Sequence, residues 1–306
     1  MCRNILHLFQ WKLADIEKNL LTIKEQGFNS ILISPVQPFK NELENNWYWC
    51  YQPLSFSIGN KFGTKEELKN LCDTSHKLGI EVYIDVVVTH VASTDDNNLL
   101  PHKDVSKNLF SNQFWWKEKK LITDWNNRWE VTNLCYGVPC LETKNYDLQK
   151  IIIDFMNELL SCGADGFRID SAKSISLPEE DGNNFFIRVI NSLNLTKRGK
   201  KPFVMAELIF MKKELLNQYT RYCYALTNSF CDNKDKCVVY VESHDSYLDD
   251  TIGFTKNMTD EMLLKEYDIL KNKTEYKNFM FYTRPYSNLW KSESIRKINK
   301  RREFNE

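Results

Sequence analysis

A (β/α)8 barrel is the fold class this sequence predicts, and three observations predict it. A helix–glycine–strand pattern occurs in IEKNLLTIKEQGFNSILISP, KEELKNLCDTSHKLGIEVYIDVVV and LQKIIIDFMNELLSCGADGFRID. Its strands are apolar on nearly every residue, as parallel strands covered on both faces are. About eight strand candidates, separated by helix-sized intervals, run through the 306 residues. An open doubly wound sheet fits the same alternation, and the count of eight favours the closed barrel.

NILHLF, residues 4–9, is the first strand candidate. The helix after it ends at Gly27, where a C′ glycine can take the left-handed conformation, and ILISP follows as the second strand. A loop rich in aromatic residues, WYWCY, comes next at 47–51. Gly79 closes a second helix and leads into the third strand, EVYIDVVV. Residues 91–145, rich in Trp, Asn and Lys, are too long for a simple loop and are expected to form an inserted subdomain. Leu148, Ile152, Phe155 and Leu159 then share one helical face, Gly163 ends that helix, and GFRID is the fourth strand. PFVMAE at 202–207, RYCYAL near 221, KCVVYVESHD from 236 and NFMFYT near 278 complete the set. Lys-rich residues 291–303 read as a terminal amphipathic helix. The expected organisation is residues 1–90 as the first part of the barrel, 91–145 as the insert and 146–306 as the rest.

Composition narrows the function classes. A 42% hydrophobic content is enough for a large core. Lys+Arg and Asp+Glu balance at 41 each, which argues against nucleic acid or an anionic membrane as a partner. No apolar run reaches spanning length, and MCRNILHLFQW is too short in its apolar stretch for a signal peptide. Nine cysteines without a CxxC pair suit reduced thiols, so a cytoplasmic location is expected. The close pairs Cys135/Cys140 and Cys231/Cys237 leave a disulfide or an adventitious metal open.

Charges collect where the strands end. VYIDVVVTH ends in His90, GFRID in Asp170, FVMAE in Glu207, and VVYVESHD in His244 and Asp245. In such barrels catalytic residues come from the C-terminal ends of several strands. Arg168 and Asp170 lie two apart on a strand and so face one side, where the cation is expected to lower the carboxylate's pKa.

These segments resemble the α-amylase family of retaining glycoside hydrolases that act on α-glucans. DVVVTH resembles its DxxxNH segment, GFRIDSAKS its GFRxDxxKH segment, AE its acid segment, ESHD its NHD segment and GVPCLETKN its LPDLN segment. LHLFQWKLADI and WYWCYQPLSF are similar to stretches of animal-type members. The resemblance runs from residue 4 to about 290, and the β-sandwich domain that usually follows the barrel is expected to be missing. It implies Asp170 as nucleophile, Glu207 as general acid/base and Asp245 as transition-state stabiliser. It further implies that Arg168 orients and acidifies Asp170, that His90 and His244 hydrogen-bond sugar hydroxyls, and that Asp85 braces the site. Two carboxyl groups of different pKa are what a retaining glycosidase requires. A third can bind more tightly as the sugar ring flattens.

Trp47, Tyr48 and Tyr51 are the candidate stacking platform for glucose, and Lys173 matches a lysine that contacts sugar on the leaving side. Trp115, Trp116, Trp125 and Trp129 are expected as the core of the insert. Relatives that bind calcium hold it between barrel and insert. Here Thr89 replaces an Asn, Cys140 replaces the acid of LPDLN, and Ser174 replaces a His that acts through its carbonyl. Glu142, Asp147 and Asp165 are the nearby oxygen donors. Calcium wants several hard oxygens, so the site looks degraded and no metal or other cofactor is expected. Ser243, in place of Asn, likewise weakens an animal-type chloride site. The expected function is endo-acting hydrolysis of α-1,4-glucan such as starch or glycogen, with no nucleic-acid or membrane partner. An α-glucosidase or glucan transferase of the same family, and a barrel that binds glycan or protein without catalysis, are the alternatives.

Overall fold

The computed structural model describes residues 2–301 apart from 45, 95–97, 111, 230, 252 and 274. Eight parallel strands close on themselves in sequence order. They are β1 (Arg3–Leu8), β2 (Ser30–Ile33), β3 (Glu81–Val86), β4 (Gly166–Ile169), β5 (Phe203–Glu207), β6 (Tyr224–Thr227), β7 (Cys237–Tyr240) and β8 (Asn278–Tyr282). β1 pairs with both β2 and β8, which removes the sheet edges and selects the closed barrel over the open sheet.

Alternation along these strands makes two cores. One set of side chains, including Ile5, Leu32, Tyr83, Met205, Leu226 and Met280, fills the barrel interior. The other set, including Leu6, Ile31, Ile84, Phe167 and Ala206, packs outward against the helices. Each fully buried Leu, Ile or Met contributes about 1.5–3 kcal/mol relative to exposure.

The helix Tyr146–Cys162 illustrates how the local sequence sets this up. The Asn145 side chain accepts from the backbone N–H groups of Asp147 and Leu148 at 3.0 and 3.1 Å, satisfying two donors the helix leaves open. Leu148, Ile152, Phe155 and Leu159 are buried as the spacing predicts. Gly163 ends the helix at φ 116°, and a Cβ there would meet that of Cys72 at 2.6 Å. Three residues on, a Cβ on Gly166 would meet the Phe203 carbonyl oxygen at 2.0 Å, so only glycine lets β4 approach β5. The chain reversal therefore delivers Arg168 into the mouth at a fixed height.

Some boundaries differ from expectation. β6 begins at Tyr224, because residues 220–223 finish the preceding turn, and β7 stops at Tyr240, leaving Glu242 to Asp245 on the loop and helix beyond it. The terminal helix spans Glu293–Lys300 and buries Ile295 and Ile298; residues 302 and 303 of the expected segment lie outside the described residues. Between β3 and Tyr146 the described residues form short helices and isolated bridges, among them His90–Cys140 and Trp116–Leu141. Trp115 is buried there, whereas Trp125 and Trp129 are more than half exposed, so these two do not build the insert's core. Cys231 and Cys237 are disulfide-bonded and the other seven cysteines are thiols. Among the described residues no helix is long and apolar enough to cross a membrane.

Candidate active site

β3 and β4 are in register with Asp85 beside Arg168, so both side chains enter the barrel at one level. Arg168 Nη1 donates to both carboxylate oxygens of Asp85, at 2.8 and 2.7 Å, and to Asp170 Oδ1 at 2.9 Å. Its Nη2 donates to Glu207 Oε1, at the end of β5. Ser171 takes φ 46°, a left-handed turn that aims its N–H at Glu207 Oε2, 2.8 Å away. Asp245 comes from the first turn of the helix His244–Leu248 after β7, and at 20% side-chain exposure it is the most open of the three acids. Three carboxylates thus bond one buried guanidinium, and Asp245 lies close enough to feel its charge.

That charge ratio decides the titration. Burial raises the pKa of Asp170 well above the ordinary carboxylate value, and Glu207, Asp85 and Asp245 add to the rise, while Arg168 opposes it. Asp85 is pushed up to about 6, again chiefly by burial. Burial raises Asp245 as well. Arg168 lowers the Asp170 pKa as expected, but one cation shared by three contacting carboxylates does not offset burial and mutual repulsion, so the net shift is upward. Asp85, Asp170 and Asp245 are therefore all shifted toward holding their protons to higher pH than isolated carboxyls do.

A carboxyl with a raised folded pKa binds more protons folded than unfolded, so its contribution to stability is present at low pH and is lost as pH rises. For Asp85 the window runs from about pH 4 to about pH 6. Asp85→Asn should therefore gain on the parent between pH 4 and 7, by up to about 3 kcal/mol. Urea unfolding at the two pH values reads this difference, and a constant gap between the proteins would contradict it.

The two histidines stand on either side. Burial lowers His90 to about 4 and His244 to about 3, so both are neutral imidazoles at pH 7. His90 Nε2 lies 2.6 Å from the Tyr51 carbonyl, which requires the proton on that nitrogen, and Nδ1 accepts from the Tyr136 hydroxyl at 2.9 Å. Both ring nitrogens of His90 thus hold protein partners, so a sugar hydroxyl would have to displace one. His244 lies flat against Phe9 and Tyr51, with centroids 4.4 and 5.2 Å apart, and its Nε2 is 3.3 Å from Asp245 Oδ1.

The aromatic candidates divide. Tyr51 is buried; its hydroxyl donates to Asp85 Oδ2 at 2.8 Å and its ring covers the Arg168 guanidinium, so it braces the ion cluster. Trp47 is half-buried, meets His244 edge to face, and lines a cavity of about 750 Å³ with Phe9, Tyr247 and Tyr286. Tyr48 is half-buried between Trp47 and Trp49. Lys173 lies across the mouth with its ammonium over the Trp125 ring at 4.8 Å, and both line a second cavity of about 660 Å³ that includes Phe210.

Ser171, Tyr136, Phe9 and Phe210 are site residues that sequence reasoning missed. Phe9 alternates with the inward residues of β1 and could have been found from that. A left-handed Ser171 or Phe210 leaves no mark in composition, and Tyr136 is reached only through the fold of the insert.

The family model described as Alpha amylase, catalytic domain, matches residues 12–284. The chain belongs to the alpha-amylase family. An alpha-amylase of Clostridium acetobutylicum is 28% identical across 96% of this chain, which covers 42% of that relative. One from Thermomonospora curvata is 27% identical over 79% of this chain and 45% of its own length. The chain thus spans less than half the length of these curated relatives. Among solved structures, wild-type alpha-amylase I of Eisenia fetida superposes with a TM-score of 0.74 at 19% identity, over 94% of this chain and 70% of that one. The alpha-amylase of Geobacillus thermoleovorans, solved with acarbose, gives 0.75 at 17% identity, over 99% and 78%. At such identities the structural likeness establishes the barrel fold.

Proposed function

We propose that this chain is a retaining glycoside hydrolase that cleaves internal α-1,4 bonds of an α-glucan such as starch or glycogen. The observation that carries the reading is the grouping of Asp170 and Glu207 on one guanidinium, with Asp245 opening onto the same mouth. Asp170 attacks the anomeric carbon while Glu207 gives its proton to the leaving glycosidic oxygen, forming a glycosyl ester on Asp170. Glu207 then takes a proton from water, which attacks the same carbon and releases Asp170. Two inversions give net retention.

The chemistry needs Asp170 ionised and Glu207 protonated, whereas burial in the unliganded site favours the protonated form of Asp170. Both Glu207 oxygens accept from N–H donors, Arg168 Nη2 and the Ser171 backbone. Sugar binding beside Asp170 draws Glu207 off Arg168 toward the glycosidic oxygen and leaves the guanidinium to Asp85 and Asp170. Catalytic hydrogen bonds commonly reach their working geometry only with substrate bound. Asp245, near neutral His244, is suited to hold ring hydroxyls more tightly as positive charge develops.

The cavity beside Lys173 favours glucan transfer as a second activity, because Trp125 and Phe210 present exposed rings to a chain on the leaving side. Product analysis separates the readings. Starch and maltoheptaose should yield mixed short maltooligosaccharides, with iodine staining lost before reducing ends accumulate. Glucose released alone from chain ends would make it an α-glucosidase, and products longer than the substrate would establish transfer. Absence of any cleavage would leave a binding barrel.

A further inference from the structure

The three positions at which calcium-binding relatives hold their metal do not fit that ion here. Thr89 Oγ1 lies 3.0 Å from His90 Nδ1 and 2.9 Å from the Tyr136 hydroxyl, so it is engaged in orienting the histidine. Cys140 offers a thiol, a soft donor, and that thiol donates to the Val138 carbonyl at 3.4 Å. The Ser174 carbonyl accepts a hydrogen bond from Lys117 Nζ at 2.9 Å. The nearby acids do not restore the set. Asp165 sits at the opposite end of β4, bonded to His76 and Arg198. Asp147 is exposed on the first turn of its helix, and Glu142 accepts from the Lys144 backbone N–H.

Lys117 itself is unusual. It is only 5% exposed, in a segment of the insert that is bridged to the exit of β3: its backbone N–H donates to the Cys140 carbonyl at 3.0 Å, and Leu141 N–H donates to Thr89 O at 2.8 Å. Its ammonium reaches across to Ser174, in the turn that follows Asp170 and Ser171. A compact point charge with three donors thus spans insert and barrel beside the catalytic strand.

We propose that the Lys117 ammonium is the built-in cation that fastens the insert to the barrel where calcium-binding relatives use a metal, making this fold independent of divalent metal. Burial lowers the Lys117 pKa, and Cys140, Glu142 and Cys135 pull it back up while Lys144 opposes them.

Thermal melting of the whole chain tests this without reference to activity. The parent should melt at one temperature in EDTA, in millimolar calcium chloride and in plain buffer. Lys117→Met keeps the stem, removes the charge and leaves the buried Ser174 carbonyl without that donor. It should melt roughly 2–5 °C lower. A parent that loses stability in EDTA and regains it with calcium or zinc would overturn the proposal. So would a Lys117→Met protein that melts with the parent. If that variant does not fold, the chelation and calcium arms on the parent decide alone.

Discussion

Asp170→Asn should lower turnover on starch by at least about 10⁴-fold while the protein keeps its fold and its melting temperature. The substitution removes the attacking oxygen's charge and almost nothing else. The asparagine side chain is isosteric and could still accept from Arg168 Nη1 through its amide oxygen, as Asp170 does at 2.9 Å. Because burial and three neighbouring carboxylates disfavour the ionised Asp170, a neutral side chain there relieves repulsion. Stability at pH 7 should be unchanged or higher, the pattern of a site that trades stability for activity. Glu207→Gln should fall comparably in turnover, because an amide cannot deliver the proton to the leaving oxygen. Turnover within tenfold of the parent in either variant, measured on pure folded protein, would remove that residue from the chemistry.

Arg168→Met should have the opposite profile, with a large cost in stability. The guanidinium is 3% exposed and is the shared partner of Asp85, Asp170 and Glu207. Removing one member of a buried ion pair typically costs about 3–5 kcal/mol, because the remaining charge is stranded. A melting temperature lower by roughly 10 °C is expected. The three acids can recover by taking up protons, so the loss should be greater at pH 7.5 than at pH 4.5. Melting curves of parent and variant at the two pH values measure both effects. A variant that melts within about 2 °C of the parent at pH 7.5 would show that the cluster is not held as described.

The layout that makes these experiments possible was legible in the sequence to an uneven degree. Period-two alternation in GFRID and VYIDVVV already puts Arg168 and Asp85 on inward faces, since apolar neighbours claim the outward ones. The eight strands follow from apolar runs and helix-ending glycines such as Gly163. The sequence does not reveal how many acids share Arg168, because that depends on the parallel register of β3, β4 and β5. For this reason the sequence shows the acidifying effect of Arg168 on Asp170 but not the burial and the neighbouring acids that outweigh it. The insert is harder still. Its tryptophans look alike in sequence, yet Trp115 packs inward while Trp125 faces the mouth beneath Lys173, a difference set by loop path rather than periodicity. Lys117 carries no local signal at all, since only the tertiary fold brings it to Ser174.

If Asp170 is the nucleophile, its covalent bond to the sugar can be trapped. A fluorinated α-glucosyl donor with a good leaving group, chosen so that the ester hydrolyses slowly, would be incubated with the protein, which would then be digested and mapped by mass spectrometry. One added glycosyl group is expected on the peptide that carries Asp170, absent in Asp170→Asn, with the α-anomer as first product from maltooligosaccharides by NMR. A label on Glu207 or Asp245, or a β-anomeric first product without any adduct, would contradict it.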